Sequence, residues 1–319
     1  MPRFLPSLLA VLCWGGMFPI ADAAMDHVDA AHITSIRYGV ASLVFLALLA
    51  AFEGRTALRY DGRFGRALLF GTLGFAGFNL LSYAGLRHTT PQHASLIAAT
   101  LPVLTVLTRW RLTGERPSSR LLAFIGAAFA GVALVVVGDD PAAAAKGGVG
   151  DLLVLAGALC WVRYTLSAAS EFGDWSPLRF TALSAAAGTL SILSITAVGD
   201  ISGLLSPPNL GEVGAAGWGI AYVIVFGAVV AVLGWNAGVK RLGAANAALF
   251  MNLVPVTTFT IQAVRGATPG AVELLGAAVT LAALVAANAT LRAPAPAPAV
   301  SEDAELEAVR AGVAVRVAA

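Results

Sequence analysis

Residues 82–105, SYAGLRHTTPQHASLIAATLPVLT, align without a gap with residues 235–258, WNAGVKRLGAANAALFMNLVPVTT. Seven positions are identical at a constant offset of 153, including Pro102 with Pro255. Roughly two matches are expected by chance in a sequence this rich in Ala, Gly and Leu. The match therefore predicts that the chain contains one structural unit twice.

The composition is that of a membrane protein. The 319 residues are 58% hydrophobic and 12% charged, against about 25% charged in soluble domains, and the mean hydropathy is +0.81. Ten apolar segments are about 18 to 22 residues long, enough to cross a ~30 Å hydrocarbon core as a helix. They cover approximately residues 4–25, 33–52, 67–86, 92–110, 120–138, 150–170, 177–198, 217–237, 244–264 and 271–291. We predict an all-α polytopic membrane protein with ten transmembrane helices.

The repeat divides these helices into two groups of five. Residues 1–138 contain the first repeat and residues 150–291 the second. Because five is an odd number, the second copy must enter the membrane from the opposite side, which gives two inverted repeats. Residues 292–319 begin with alternating Pro and Ala, and we expect a disordered cytoplasmic tail.

Arginine and lysine concentrate in every second connection between the segments. These connections contain Arg55, Arg59, Arg63 and Arg66, then Arg109, Arg111, Arg116 and Arg120, then Lys240 and Arg241. The positive-inside rule places these connections and both termini in the cytoplasm. We interpret the clusters as topological signals that contact lipid headgroups, and we expect no nucleic-acid binding.

The tripeptide Leu-Cys-Trp occurs twice, ending at Trp14 and at Trp161. Each tryptophan lies about ten residues, or ~15 Å, into its predicted helix, which is near the bilayer midplane. Proteins built from inverted repeats place their substrate site at this depth. The alternative for each tryptophan is simple packing between helices. Two at equivalent depths favour a central cavity.

Polar side chains inside a bilayer are costly unless they face a cavity or a partner. Asn79 and Tyr83 are four residues apart and share one face of the third helix. The other candidate lining residues are Thr105, Tyr164, Trp235, Asn236 and Asn252. Each of these residues either lines a cavity or joins two helices by a hydrogen bond, and the sequence leaves both readings open.

Pro102 and Pro255 fall inside the fourth and ninth helices. Each proline removes a backbone hydrogen bond, so we expect a structural kink, with a gating role as the alternative.

Charged residues within the segments form a further group of candidates. Asp22 and Arg37 are placed near the same face of the membrane, and we expect a structural ion pair, with Asp22 as a proton carrier as the alternative. Arg179 is the inverted mate of Arg37, near the cytoplasmic face, where its side chain can snorkel. Arg163 either snorkels or recognises an anionic group of a substrate.

The sequence contains no pattern typical of a metal or cofactor site. The histidines 27, 32, 88 and 93 have no spacing typical of metal ligands. His-Glu-x-x-His, a phosphate-binding loop and Gly-x-Ser-x-Gly are all missing from the sequence. Cys13 and Cys160 are read as small buried hydrophobes. We therefore expect no metal, no cofactor and no ATP-driven step.

Several strings, in order along residues 4–291, resemble the EamA-type transporters of the drug/metabolite transporter superfamily. They are CWGGMFP, SIRYGVAS, ASLIAATLPVLTVL, LTGERPSSRLLAFIGAAFAGVALVV and GDLLVLAGALCW. The resemblance implies two inverted five-helix halves and export or exchange of small metabolites across a bacterial inner membrane. Glu115, in TGERPS, has Ala267 near the matching place, which weakens a symmetric gating role. Arg163 stands where such proteins usually carry a small residue.

These observations lead to the hypothesis of a secondary transporter that exports small polar metabolites, such as amino acids or nucleobases, by alternating access. Proton coupling is left open. The alternatives are a non-transporting membrane sensor, which would not require an inverted repeat, and an intramembrane enzyme, which would require a catalytic cluster at mid-depth. The expected partners are a small-molecule substrate and the lipid bilayer, and the expected assembly is a monomer or a weak homo-oligomer.

Overall fold

The computed structural model describes residues 2–137, 141–242, 247 and 249–292, and all regular structure in these ranges is helical. The α-helices are α1 (Leu5–Ala24), α2 (Ala30–Glu53), α3 (Phe64–Leu86), α4 (Pro91–Ala99), α5 (Leu101–Thr113), α6 (Ser119–Val137), α7 (Pro141–Ser170), α8 (Pro177–Ile201), α9 (Leu210–Ala215), α10 (Gly217–Leu242), α11 (Leu253–Val264) and α12 (Ala271–Arg292). Within the described ranges, eight are long and apolar enough to cross a membrane. They are α1, α2, α3, α6, α7, α8, α10 and α12.

The fourth and ninth predicted segments differ from a single continuous helix. The segment 92–110 is interrupted at Thr100, between α4 and α5, and Pro102 is among the first residues of α5. A proline in a helix interior removes one hydrogen bond, whereas the first turn tolerates it. In the segment 244–264, a 3-10 turn at Leu249–Asn252 precedes α11, and Pro255 lies in the first turn of α11. Residues 244–246 and 248 lie outside the described ranges.

Local sequence explains where several helices begin. Asp29 precedes α2, and its carboxylate accepts hydrogen bonds from the backbone of residues 31 and 32. Thr90 and Ser176 cap α4 and α8, and a proline follows each of them. A short polar side chain at the cap and a proline at the next position are typical of helix starts.

Two of the long helices contain a π-helical segment in their middle. The segments are Thr72–Gly77 in α3 and Val225–Val230 in α10. They lie 153 positions apart, which is the offset of the repeat found in the sequence. A π-helical turn frees backbone carbonyls from the regular pattern, and such turns are frequent at functional sites.

Helices from one half of the chain pack mainly on helices from the other half. Helix α6 packs along α12, and α2 packs along α8. Where α6 crosses α12, an added Cβ on Gly131 would lie 2.7 Å from the carbonyl oxygen of Gly276. Where α3 crosses α8, a Cβ on Gly71 would lie 2.9 Å from the nitrogen of Gly188. Glycine at these positions lets the backbones approach closely, as is common between membrane helices.

The predicted repeats, residues 1–138 and 150–291, correspond to α1 to α6 and α7 to α12. Residue 138 and the predicted tail beyond residue 292 lie outside the described ranges.

Candidate functional site

A cavity of about 90 Å³ lies between the two halves, lined by residues of α1, α2, α3, α4, α5, α7, α10 and α11 and by Met251. Its aromatic lining residues are Trp14, Phe18, Tyr38, Phe45, Phe75, Phe78 and Trp161. Most of the remaining lining is aliphatic, and Arg37 is the charged residue among the lining residues that the structure describes. A mostly apolar concave site with few polar groups is typical of small-molecule binding.

Trp14 lies midway along α1 and is oriented by a hydrogen bond. Its indole nitrogen donates to the carbonyl oxygen of Gly227 at 3.1 Å. Gly227 belongs to the π-helical segment of α10. The Trp14 ring also lies 5.6 Å from the ring of Trp235, centroid to centroid. The side chain therefore has one fixed polar contact and one aromatic neighbour, and both are on α10.

Trp161, on α7, also lines the cavity and lies in an aromatic cluster. Its ring centroid is 5.3 Å from that of Phe78, 6.2 Å from that of Phe75 and 5.2 Å from that of Tyr164. The hydroxyl of Tyr164 lies 3.1 Å from the hydroxyl of Ser184 on α8. Phe75 and Phe78 were missed by the sequence analysis, because aromatic residues three apart on an apolar helix do not distinguish a cavity from ordinary packing.

Arg37 is buried, with 3% of its surface exposed. Its Nη1 donates to the amide oxygen of Asn79 at 2.8 Å and to the hydroxyl of Tyr83 at 3.0 Å. Its Nη2 donates to the carbonyl oxygen of Gly227 at 3.3 Å, and its guanidinium lies 4.8 Å from the ring centre of Tyr38. Arg37 thus connects α2 with α3 and α10 at the wall of the cavity.

The expected ion pair between Asp22 and Arg37 is not formed among the described residues, and this is a correction to the sequence analysis. The charges that act on Asp22 are those of Asp26, Arg265 and Arg87, near the end of α1. Asp22 and Arg37 were placed by depth alone, and depth does not determine the direction in which a side chain leaves its helix.

Of the nine predicted lining residues, Trp14 and Trp161 line the described cavity. Four others contact a lining residue without lining the cavity themselves. Asn79 and Tyr83 contact Arg37, Tyr164 contacts Trp161, and Trp235 contacts Trp14. Thr105, Asn236 and Asn252 are not among the lining residues that the structure describes; the Thr105 hydroxyl donates to the carbonyl oxygen of Leu101 at 2.7 Å. Binding roles for these residues stay predictions.

The other predicted charged residues lie away from the cavity. Arg163 stacks on Phe70, with its guanidinium 5.4 Å from the ring centre. Glu115 accepts a hydrogen bond from Arg109 at 2.9 Å on the exposed surface. Arg179 donates to Asp61 at 2.5 Å. An anion-recognising role for Arg163 and gating roles for Glu115 and Arg179 are therefore untested predictions.

We call the end of the bundle where residues 54–66 meet residues 171–179 the arginine-rich end. Arg63 donates to both carboxylate oxygens of Asp174, at 2.5 and 3.0 Å, and Arg66 contacts Glu171 at 3.0 Å. Arg179 and Asp61 form a third pair here. The three pairs join the connection of residues 54–66, from the end of α2 into the first turn of α3, to the connection of residues 171–179, from the end of α7 into the first turn of α8. The two connections come from different halves of the chain.

The hydrogen bonds from Arg63 hold the pKa of the Asp174 carboxyl below its usual range, and the same contact raises the pKa of Arg63. Hydrogen bonding to the charged form of a group favours that form. The pair is therefore charged at neutral pH.

The opposite end of the bundle contains a second cavity, of about 730 Å³, lined by residues 25–31 and by parts of α3 and α8. Beside it, His32 contacts Asp29 and Asp200, which joins α2 to the end of α8. The Thr89 hydroxyl donates to Asp151 at 2.5 Å. Among the described residues, no group of three or more His, Cys, Asp or Glu side chains is placed to hold a metal ion.

A model of the EamA-like transporter family matches residues 4–137 and 148–289. The chain therefore belongs to the EamA-like transporter family. It is a multi-pass membrane protein, with two family units in tandem.

Individual relatives agree with this assignment. The chain is 30% identical over 298 residues to the uncharacterized transporter YrdR of Bacillus subtilis, covering 89% of this chain and 90% of that one. It is 25% identical over 282 residues to a probable terminal-alkyne amino-acid exporter of Streptantibioticus cattleyicolor, covering 88% and 91%. A solved crystal structure with 22% identity matches with a TM-score of 0.64 over 91% of this chain and 99% of that chain, which shows the fold alone.

Proposed function

We propose that the protein is a secondary transporter that exports small metabolites, amino acids or nucleobases among them, by alternating access. The observation that carries the proposal is the central cavity, which both halves of the chain enclose and to which they contribute Trp14 and Trp161. A site between two structural repeats, approached from either end, is the arrangement that alternating access uses. The same proposal places the chain in a bacterial inner membrane with both termini in the cytoplasm.

Two features support an inverted repeat. The π-helical segments of α3 and α10 share the sequence offset of 153. The helix contacts also keep their pattern when the two halves are exchanged. In the first half α1 packs on α10 and α11. In the second half the equivalent helix, α7, packs on α3 and on α4 and α5, which correspond to α10 and α11. The pairs α2 with α8 and α6 with α12 map onto themselves.

The two ends of the bundle differ in a way that suits a transport cycle. Ion pairs between the two halves close the arginine-rich end, whereas the opposite end contains the larger cavity. In this proposal the ion pairs break when the arginine-rich end opens. Because they connect partly exposed side chains, each contributes little energy and can be exchanged for water during a cycle.

The test is flux in vesicles that contain the purified protein. A panel of labelled amino acids, nucleobases and carboxylic acids, 3-phenylpropanoate among them, is loaded on one side, and exchange is measured with and without a pH gradient. We expect saturable exchange of at least one class of solute, lost when Trp14 and Trp161 are both replaced by Ala. Trp218→Ala is the matched control, because Trp218 is 73% exposed on the outside of the bundle.

The competing functions give different results. Binding of a solute without flux would favour a sensor, and chemical conversion of the solute would favour an enzyme. A flux that the double Trp variant retains in full would remove the central cavity from the transport path.

A further inference from the structure

We propose that the central cavity selects organic monoanions, in which a carboxylate is attached to an apolar or aromatic group, and that Arg37 binds the carboxylate. The proposal rests on the proposed transport function and narrows its solutes, because it makes amino acids weaker ligands than monoanionic carboxylates of the same size. It is carried by the charge of Arg37, by the donors that Arg37 has left unused, and by the chemistry of the remaining lining.

Arg37 holds a buried positive charge without a negative partner among the described residues. Its three hydrogen bonds go to neutral acceptors, namely the amide of Asn79, the hydroxyl of Tyr83 and the carbonyl of Gly227. No carboxylate in the described ranges lies within 4.0 Å of its guanidinium nitrogens. A buried cation is costly unless an anion pairs with it, so the site is electrostatically complementary to a negatively charged solute.

The guanidinium also has free hydrogen-bonding capacity. Of its five N–H groups, Nη1 uses two and Nη2 uses one in the described contacts, and Nε has no partner although it is buried. Nε and Nη2 form one edge of the planar group, and such an edge can donate two parallel hydrogen bonds to a carboxylate. A buried donor usually has a partner in a folded protein, and in this proposal the carboxylate of the solute is the partner of Nε.

The guanidinium is held in place before any ligand binds. Asn79 lies beside it on α3, and the Asn79 amide nitrogen in turn donates to the hydroxyl of Tyr38 at 3.1 Å. Gly227 approaches from the π-helical segment of α10, where its carbonyl is shared with Trp14. Because the supporting residues come from α1, α2, α3 and α10, the position of Arg37 depends on how these helices pack, which links anion binding to their arrangement.

The remaining lining selects against other charge states. The cavity is lined by aromatic and aliphatic side chains, with no Asp or Glu among the described lining residues. The ammonium group of a zwitterion would find no carboxylate there, and burying an unpaired charge is unfavourable. The rings of Trp14, Phe75, Phe78 and Trp161 instead suit the apolar part of a carboxylic acid.

The experiment compares four probes that share one aromatic ring and differ in charge. They are 3-phenylpropanoate, phenylalanine, 2-phenylethylamine and 3-phenylpropanol, and binding to the purified protein is measured by calorimetry and by the quenching of tryptophan fluorescence at neutral pH. We expect the anion to bind roughly tenfold or more tightly than the other three, because hydrogen bonds to charged groups are about twice as strong as neutral ones. Equal or tighter binding of the zwitterion or the alcohol overturns the proposal.

Two variants assign the effect to Arg37. Arg37→Gln is expected to weaken binding of the anion at least tenfold while leaving binding of the alcohol within a factor of about two. Arg163→Gln is the matched control, because Arg163 also lies on a spanning helix but stacks on Phe70 away from the lining. Loss of the anion preference in Arg163→Gln with retention in Arg37→Gln overturns the proposal.

A structural role for Arg37 gives a distinguishable result. If Arg37 only joined helices, its replacement would lower the thermal unfolding temperature without changing the preference among the four probes. Arg37→Lys, which keeps the charge but lacks the planar fork, covers the case in which Arg37→Gln does not fold; it is expected to keep the anion preference at reduced affinity. Unchanged anion affinity in Arg37→Lys overturns the bidentate binding.

The same vesicles separate this inference from the transport function. Anion binding without flux would refute the transporter and leave the anion site standing. Flux of a zwitterion that is insensitive to Arg37→Gln would refute the anion site and leave the transporter standing.

Discussion

Trp14 and Arg37, on different helices, donate hydrogen bonds to one and the same carbonyl oxygen, that of Gly227, from the indole nitrogen at 3.1 Å and from Nη2 at 3.3 Å. A carbonyl inside a regular α-helix has one of its lone pairs engaged by the residue four positions later. Within the π-helical segment of α10 this pattern changes, and two side chains from the first half of the chain converge on the second half. The indole and the guanidinium therefore hold the cavity wall together.

Replacing Trp14 by Phe tests this shared acceptor. Trp14→Phe keeps an aromatic ring but loses the N–H donor, and a single neutral hydrogen bond contributes about 0.5–1.5 kcal/mol. We expect the rate of solute exchange in vesicles to fall roughly two- to tenfold while the protein stays folded. Trp218→Phe makes the same change at a side chain that is 73% exposed, and an equal loss there would contradict the interpretation.

Breaking the ion pair between Arg63 and Asp174 is expected to open the arginine-rich end more often. Both side chains are partly exposed, and such pairs contribute little, so Arg63→Gln should raise the population of the open form by no more than about fivefold. The measurement is the rate at which maleimide modifies Ala228→Cys, a residue of the cavity lining. Cys13 and Cys160 are replaced by Ala in this background.

Arg55→Gln is the matched control for this prediction, because Arg55 lies in the same connection and no described ion pair includes it. Equal acceleration of labelling in both variants would show that charge alone, rather than the pair, is responsible. Restored slow labelling in the double variant Arg63→Asp with Asp174→Arg would support the pair.

The same pair predicts a pH dependence of stability. The pKa of Asp174 is lowered by the hydrogen bonds from Arg63, so its contribution is fully present above the ordinary Asp value of about 3.9 and is lost as the pH falls through the lowered folded pKa. We expect thermal unfolding of the wild type and of Asp174→Asn to differ at pH 6, to begin to converge near pH 4 and to coincide below the lowered folded pKa. A difference that persists unchanged in acid would exclude this linkage.

Packing between α6 and α12 depends on Gly131. An added Cβ at Gly131 would lie 2.6 Å from the backbone nitrogen of Thr280 and 2.7 Å from the oxygen of Gly276, so the two helices would have to separate. We expect Gly131→Ala to destabilise the protein by about 1–3 kcal/mol, as overpacking typically does. The thermal unfolding temperature in detergent reports the change.

The control for this variant is on the same helix. A Cβ on Gly126 would meet nothing within 4 Å, so Gly126→Ala should be neutral or slightly stabilising, because Ala favours a helix more than Gly does. If both variants were equally destabilised, the cause would be the helix backbone and not the contact with α12.

The inverted repeat predicts opposite sides for two exposed residues. His88 follows α3 and Lys240 is near the end of α10, one residue before Arg241, which the repeat aligns with His88. We expect a membrane-impermeant maleimide, added outside intact cells, to modify His88→Cys but not Lys240→Cys until the cells are opened. Modification of both from outside would refute the inverted arrangement.

Much of the architecture follows from local sequence. The length of each apolar run indicates a spanning helix, and eight of the ten predicted segments contain one within the described residues. Pro102 and Pro255 were expected inside helices, and the structure places them in the first turns of α5 and α11. The sequence did not indicate the break at Thr100, whose hydroxyl donates to the carbonyl oxygen of Ile97 at 2.6 Å.

The candidate site was predictable only in part. The repeat and the depth of Trp14 and Trp161 pointed to a cavity, and both residues line it. The partners of Arg37 were not predictable, because α2 meets α3 and α10 through contacts more than 40 residues apart in sequence. The position of a residue along a helix predicts the depth of its side chain. Its direction around the helix axis follows from the 3.6-residue period, and a π-helical segment changes that period.

The π-helical stretches Thr72–Gly77 and Val225–Val230 have a mechanical consequence. Each contains one surplus residue relative to an α-helix, and moving that surplus by a turn would swivel the intervening side chains by about 100° while the helix ends stay anchored. Equal rotations in α3 and α10 would reorient Phe75 and the Gly227 carbonyl, both of which line the cavity, in one concerted step.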